Sequence, residues 1–388
     1  MKIRASYGEI GDDNVSGRWL FQDQWAYNKS WQTYMDPSKR GGKSPYSWYR
    51  ESVVGNADVH WEKVKKLNFG IDYALLDGLL AGSVEVFRDK RSDILIGGGS
   101  RSVPSYYGQK PATVNKGKVN TRGYELELRF NKRFKNEMRV WANLSMTHSE
   151  NKVIVKDDKP LLPNYRKDTG FSMGQGRYYL DKGFIGSYDE LYGSPKHEAN
   201  NDSRIPGDYY IVDFDGNGVI DQDDQAPYGY TGTPQNTYNA TVGFEWKGFS
   251  CFAQFYGVNN VSRSVNLDCF ANRYNVVFDT GTWWSETGTA ADFVTPRWLS
   301  SKVAAYNGTQ YVYDASFIRL KNVEVSYTFK NSLTRQLGIS GLRVFVSGNN
   351  LWMWSRMPDD REGNFSGAGA NYGAYPIMKR VNLGIKFS

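Results

Sequence analysis

The stretch Tyr124 to Phe130, YELELRF, alternates residue by residue. Tyr124, Leu126, Leu128 and Phe130 fall on one side, and Glu125, Glu127 and Arg129 on the other. A period of two marks an extended strand with one apolar and one polar face, because successive side chains point to opposite sides. The pattern recurs where Ala240, Val242, Phe244 and Trp246 alternate with Asn239, Thr241, Gly243 and Glu245. It recurs again where Val323, Val325, Tyr327 and Phe329 alternate with Asn322, Glu324, Ser326 and Thr328, and where Val381, Leu383, Ile385 and Phe387 alternate with Asn382, Gly384 and Lys386. Helical patterning is confined to a short stretch near Leu333 to Leu337. Working outward from these segments places ten strands, at roughly 2–9, 65–75, 80–92, 119–131, 136–149, 234–247, 249–262, 314–330, 340–354 and 375–388.

The connections then sort by length. Tight ones fall at Leu76 to Leu79 (LDGL), Asn131 to Asn136 (NKRFKN) and Lys247 to Gly248, with a slightly longer one at Asn331 to Ile339. Between them lie long polar connections: Ile10 to Val64, Asp93 to Lys118, Glu150 to Thr233, Val261 to Tyr313 and Ser355 to Ala374. Short turns at one end and long loops at the other is the plan of an outer-membrane barrel. Trp61, Trp352 and Trp354 sit towards the long-loop ends of strands and Trp246 beside a tight turn, where interfacial aromatic girdles belong. A soluble β-sandwich with these rings in its core is the alternative.

Composition narrows the choice. The chain has 388 residues, of which 15% are aromatic, and 40 glycines; its mean hydropathy is −0.60. No run of about 18 apolar residues occurs, so no transmembrane helix is available, whereas a closed barrel crosses a bilayer with strands of ordinary hydropathy. The net charge of +7 is spread along the chain without a basic cluster, which gives no nucleic-acid footprint. Cys251 and Cys269 form no CxxC and have no histidine at ligand spacing, so they read as ordinary thiols, or as one loop-stapling disulfide. The opening MKIRASYGEI has no apolar core and no cleavage site, and reads as a strand already under way rather than as a signal peptide.

Seven segments, in order, carry a family resemblance. They are KIRASYGEIG (Lys2 to Gly11), WEKVKKLNFGIDYALLDGLLAGSVEVFRDKRSDIL (Trp61 to Leu95), NKGKVNTRGYELELRFN (Asn115 to Asn131), VDFDGNGVIDQDD (Val212 to Asp224), DASFIRLKNVEVSYTF (Asp314 to Phe329), LGISGLRVFVSGNNLW (Leu337 to Trp352) and the closing YPIMKRVNLGIKFS. Together they resemble the C-terminal barrel half of SusC/RagA-like TonB-dependent outer-membrane transporters. The resemblance implies a barrel of about 22 strands around an N-terminal plug. It also implies energisation through TonB-ExbB-ExbD and capping by a SusD-like surface lipoprotein that helps capture glycans or peptides. Residues 1–388 are therefore expected to form the C-terminal part of such a barrel in the outer membrane of a Gram-negative bacterium, with the plug, the TonB-contacting segment and any signal peptide upstream. A sheet of ten strands would leave two edges without partners.

The sharpest local motif is DFDGNGVIDQDD, Asp213 to Asp224. It has the oxygen spacing of a Ca²⁺ loop: side chains of Asp213, Asp215 and Asn217, a turn glycine at Gly218, the Val219 carbonyl, then Asp221 and Asp224. Asp224 stands where an EF-hand has glutamate, and no amphipathic helices flank the loop; the role expected is a structural ion pinning the longest loop. An Asx-rich turn without metal has the same residues. Loop aromatics form a second set, comprising Trp19, Trp25, Trp31, Trp48, Tyr106, Tyr107, Trp283, Trp284, Tyr372 and Tyr375. Their faces can stack on sugar rings, and Trp283, Trp284, Tyr106 and Tyr107 are the candidate substrate contacts.

Catalysis has little to stand on: three histidines, no GxSxG, no HExxH and no phosphate-cradling loop. The expected function is outer-membrane import without covalent chemistry. The alternative is a secreted calcium-containing β-sandwich that binds or cleaves carbohydrate. Val381, Leu383, Ile385 and Phe387 resemble the recognition signal of barrel-assembly machinery, although Ser388 rather than the aromatic comes last. The same residues would form the outer-membrane-lipid face of the closing strand.

Overall fold

A computed structural model of the chain describes residues 1–13, 17–28, 48–199, 201–264, 284–287, 308–329, 341–357 and 377–387. All ten expected strands form: β1 (Lys2–Asp12), β2 (Glu62–Leu75), β3 (Leu80–Ile96), β4 (Val114–Arg133), β5 (Arg139–Val155), β6 (Asn236–Trp246), β7 (Phe249–Asn259), β8 (Phe317–Thr328), β9 (Leu342–Ser355) and β10 (Arg380–Phe387). Each is hydrogen-bonded to its neighbour in the chain, so the sheet runs in sequence order and is antiparallel throughout. The short helix expected near Leu333 to Leu337 lies outside the described residues.

Turn chemistry sets one end of the sheet. Lys247 and Gly248 adopt φ of 47° and 93°, the left-handed pair that a two-residue hairpin requires. Leu76, Asp77 and Gly78 turn β2 into β3 through φ of 53°, 53° and 84°. At the opposite end β3, β4 and β5 run further than alternation indicated. A register shift beside Asp93, whose φ is 60°, breaks the period of two there while pairing resumes from Ile94 with Gly117 to Ile96 with Val114.

The two faces differ in chemistry. Ile71, Val84, Leu126 and Met146 form one row across β2–β5, and Val325, Val346 and Leu383 form another across β8–β10. These rows are not packed beneath a second sheet among the described residues. Leu126 is 38% exposed, Val346 46% and Leu383 76%. The opposite face pairs its charges: Arg4 donates to both oxygens of Asp72, at 2.9 and 2.7 Å, and reaches Glu85 as well. Arg129 donates to Glu127 at 2.8 and 3.0 Å, and Arg343 to Ser326 at 2.9 Å with an ion pair to Glu324. Large rings on this face lie over glycines of the facing strand: Trp141 over Gly243, Phe87 over Gly123 and Phe345 over Gly384.

Buried apolar side chains gather in and near the long connections instead. Ile185 and Ile220 are fully buried, and Val258, Val261, Ala315 and Phe317 cluster where β7 and β8 enter their loop. A β-sandwich would put its core under the sheet, and among the described residues no such core lies there. Cys251 lies on β7 as a free thiol, and Cys269 lies outside the described residues.

A Cβ at Gly243 would come within 2.6 Å of the Trp141 ring. Gly243→Val should therefore cost about 1–3 kcal/mol by overpacking, read as a lower temperature for loss of heat-modifiable migration of the folded protein. An unchanged midpoint would show that Trp141 does not lie there.

Candidate functional site in the long loops

The connection 156–235 folds into a module of its own. Arg177–Tyr179 pairs with Gln225–Pro227, Asp181–Phe184 with Tyr209–Ile211, and Lys196–His197, in parallel, with Val219–Ile220. Tyr179, Ile211 and Ile220 pack together with Tyr209 at its centre. A short helix, Tyr188–Gly193, starts where Ser187 Oγ accepts the Glu190 amide at 3.2 Å. The module is tied to β5, where Val153 donates to the Phe171 carbonyl at 2.8 Å and accepts from Gly170 at 2.9 Å.

Within it, the acidic loop closes on itself. Asp213 accepts the amides of Gly216, Asn217 and Gly218 at 2.8, 3.2 and 2.7 Å, a curl made possible by φ of 76° at Gly216 and 86° at Gly218. Asp224 is fully buried and accepts the amides of Phe214 at 2.6 Å and Asp221 at 2.8 Å. Carboxylate oxygens of Asp213, Asp215 and Asp224 lie within 4.8 Å of one another. Burial lifts the Asp215 carboxyl above its ordinary range, and the charges of Asp224 and Asp213 add to the lift against the opposing Asn217 amide. At Asp213 burial acts the same way, yet the three amides outweigh it and the carboxyl is lowered.

The other three expected ligands stand differently. Asn217 donates its amide to Asp215 at 3.1 Å while its Oδ1 accepts from Val219 at 2.7 Å. Asp221 caps the turn Gln222–Asp224, accepting the Asp223 amide at 2.7 Å, and the Val219 side chain is exposed. The donors gathered are all oxygen, which suits a hard cation such as Ca²⁺ and not a metal that prefers nitrogen or sulfur.

The capping turn also forms one wall of a polar cleft of about 750 Å³. Gly99 to Ser102 face it from the connection between β3 and β4, and Lys156 to Lys159, Leu162, Arg166 and Glu198 complete it. Asp157 fastens two connections together: Arg101 Nε donates to it at 2.7 Å, Ser102 N at 3.1 Å, and Lys116 forms a third contact. The Lys116 ammonium, with Arg101 and the Ser102 amide, outweighs burial and holds its carboxyl down at about 2. No motif announces Arg101, Lys116 and Asp157, which come together only where β4 and two connections converge.

The aromatic candidates are scattered. Tyr106 and Tyr107 are exposed on the turn Ser105–Tyr107 and do not line the cleft. Trp284 is half-buried on another connection, and Trp283, Trp31, Tyr372 and Tyr375 lie outside the described residues. Val381, Leu383, Ile385 and Phe387 stand exposed on the apolar face of β10, opposite Gly348, Val346, Val344 and Leu342 of β9.

An antiparallel meander with one uncovered apolar face, one polar face and long loops at one end defines the sheet of a membrane β-barrel. Known proteins agree. The chain is 26% identical to TonB-dependent receptor P3 of Formosa agariphila over 99% of its own length and 39% of that protein's. It is 24% identical to TonB-dependent receptor SusC of Bacteroides thetaiotaomicron over 99% of itself and 37% of SusC. In structure it superposes on the RagAB peptide transporter with a TM-score of 0.71 at 20% identity, covering 99% of this chain and 40% of that one. No protein-family model matches. Over nearly its whole length the chain is thus similar to proteins named TonB-dependent receptors, SusC among them, and it spans about two fifths of the length of the curated relatives it matches.

The Asp157 clamp carries a pH signature. A carboxyl whose folded pKa is depressed contributes stability above its unfolded value of about 3.9. That contribution falls away as pH drops towards about 2. Limited proteolysis of the 97–113 and 156–176 connections should stay slow down to about pH 4 and rise below it. Asp157→Asn should raise it already at neutral pH, and equal cleavage of the two proteins there would overturn the assignment.

Proposed function

We propose that this chain is the C-terminal part of the barrel of a SusC-type outer-membrane importer, working by ligand capture in external loops and gated passage. The observation that carries this reading is the uncovered apolar face of a sheet whose strands pair in an unbroken series, the arrangement that lipid demands. The similarity to TonB-dependent receptors supports coupling through TonB-ExbB-ExbD, and the pairing in the RagAB transporter supports a SusD-like lipoprotein cap. Oligosaccharide is the favoured cargo, because exposed loop aromatics such as Trp19, Trp25 and Tyr106 suit sugar faces. Peptide is the second reading, favoured by the alternating cations and carboxylates of the 750 Å³ cleft, which suit charged chain ends and side chains. No covalent step is assigned to any residue.

The full-length protein should resist carbonate extraction and show heat-modifiable migration in detergent. Recovery as a soluble monomer without detergent would overturn the reading. Phe387→Asp, which puts a charge on the lipid side of the closing strand at a cost of up to a few kcal/mol, should lower outer-membrane levels if β10 serves the barrel-assembly machinery. Normal levels would remove that role.

Calcium at Asp213, Asp215 and Asp224, completed by Asn217, the Val219 carbonyl and Asp221, would neutralise three crowded carboxylates and pin the loop module. Ca²⁺ should protect residues 201–224 from protease and chelator should abolish that protection; Asp215→Ala should remove the difference. Equal cleavage with and without calcium would rule the ion out.

A further inference from the structure

Towards the long-loop end, the apolar face of the sheet turns basic without changing side. The register aligns Tyr7, Leu67, Arg88, Arg122 and Glu150 in one row across β1–β5, and Glu9, Lys65, Lys90, Asn120 and Lys152 in the next. The register shifts of β3 and β4 lie further along, beyond Arg91 and Val119, so these residues keep the parity of Val86, Leu126 and Met146 and point to the same side. Five cations thus stand beside two carboxylates. Glu150 pairs with Arg122, and Glu9 lies 3.9 Å from Lys65. Arg88, Lys90 and Lys152 have no carboxylate partner among the described residues.

Arg88 faces Arg122 directly across the strands, and Lys65 faces Lys90. Like charges in directly opposed positions are unfavourable; where the other face of the sheet opposes Glu85 to Glu125, Arg4 pairs with Glu85, whereas Arg88 and Lys90 have no such counter-ion among the described residues. Three of the five cations, Arg88, Arg122 and Lys152, line a cleft of about 460 Å³ between β3–β5 and the segment 170–172, with Glu150, Ile154 and Phe171 also in its wall. Cations outnumber the single carboxylate in the cleft wall, and the register places Val86 and Tyr124 two positions along the same face from Arg88 and Arg122.

We propose that this cleft binds the phosphorylated headgroup of a lipid in the outer leaflet, with its acyl chains descending over Val86, Tyr124 and Leu126. The proposal rests on the lipid-facing reading of the apolar face. Guanidinium groups present paired donors that match phosphate oxygens, and basic surfaces at the membrane boundary attract anionic headgroups. A neutral headgroup would leave Arg88 and Lys152 unmatched.

The test uses the full-length protein purified from outer membranes in mild detergent and exposed to nanodisc lipid containing bisphosphorylated lipid A, fully dephosphorylated lipid A or neither, with bound lipid counted by native mass spectrometry. Wild-type protein should retain bisphosphorylated lipid at least tenfold better than the dephosphorylated form. The double variant Arg88→Gln/Lys152→Gln should lose that preference, while Lys132→Gln/Arg133→Gln at the tight-turn end keeps it. Heat-modifiable migration reports folding, and the single variant Lys152→Gln is read if the double variant fails to fold. Equal retention of both lipids, an unchanged preference in folded variants, or displacement of the lipid by millimolar inorganic phosphate alone would overturn the proposal. Wild-type protein that needs no detergent would instead overturn the membrane reading beneath it.

Discussion

A backbone amide inside hydrocarbon has no water to bond, so each N–H and C=O along a membrane-crossing strand must find its partner in the protein. The sheet meets that constraint with an unbroken series from β1 to β10, each strand paired with its neighbours in the chain. Left-handed turn residues such as Lys247 and Gly248 let successive strands reverse within two positions. The outward edges of β1 and β10 are paired on one side only among the described residues. An edge paired on one side only leaves backbone donors and acceptors open, and the chain matches about two fifths of its relatives' length.

The same constraint divides the side chains. On one face Ile71, Val84, Leu126 and Met146 remain uncovered, where a water-soluble sheet would have to bury them. On the other, Arg4, Asp72, Glu85 and Asn68 form a hydrogen-bonded group, and Arg343 joins Glu324 to Ser326. Bulk is matched as carefully as charge: Trp141, Phe87 and Phe345 fit because the facing positions hold glycine. Among the described residues neither face contains a packed core of the kind that stabilises a sandwich, and strand pairing holds the sheet together.

Among the described residues a conventional interior forms in and beside the long loops. Ile185, Ile211 and Ile220 are buried with Asp224, and the acidic curl from Asp213 is held by backbone amides and by the strand Val219–Ile220 behind it. Because the turn that buries Asp224 also offers Asp221 and Asp223 to the polar cleft, the order of this curl and the shape of the cleft are mechanically one feature. Asp157, held by Arg101 and Lys116, joins the neighbouring connection to the same wall.

Alternation alone was enough for the ten strands, their order and the sorting of turns from loops, since period two is a local property and neighbouring strands in a meander need only a short turn to meet. It stopped short at Asp93, because a bulge reverses side-chain parity while pairing continues. Spacing likewise marks Asp213, Asp215 and Asp224, but it does not show that Asp221 caps the turn Gln222–Asp224. Tertiary structure decided which sheet face lacks a covering layer, which loops build the cleft, and that Arg88, Arg122 and Lys152 stand on one side of three strands. Those are relations between residues far apart in the chain, fixed by register and loop docking, and no local pattern records them.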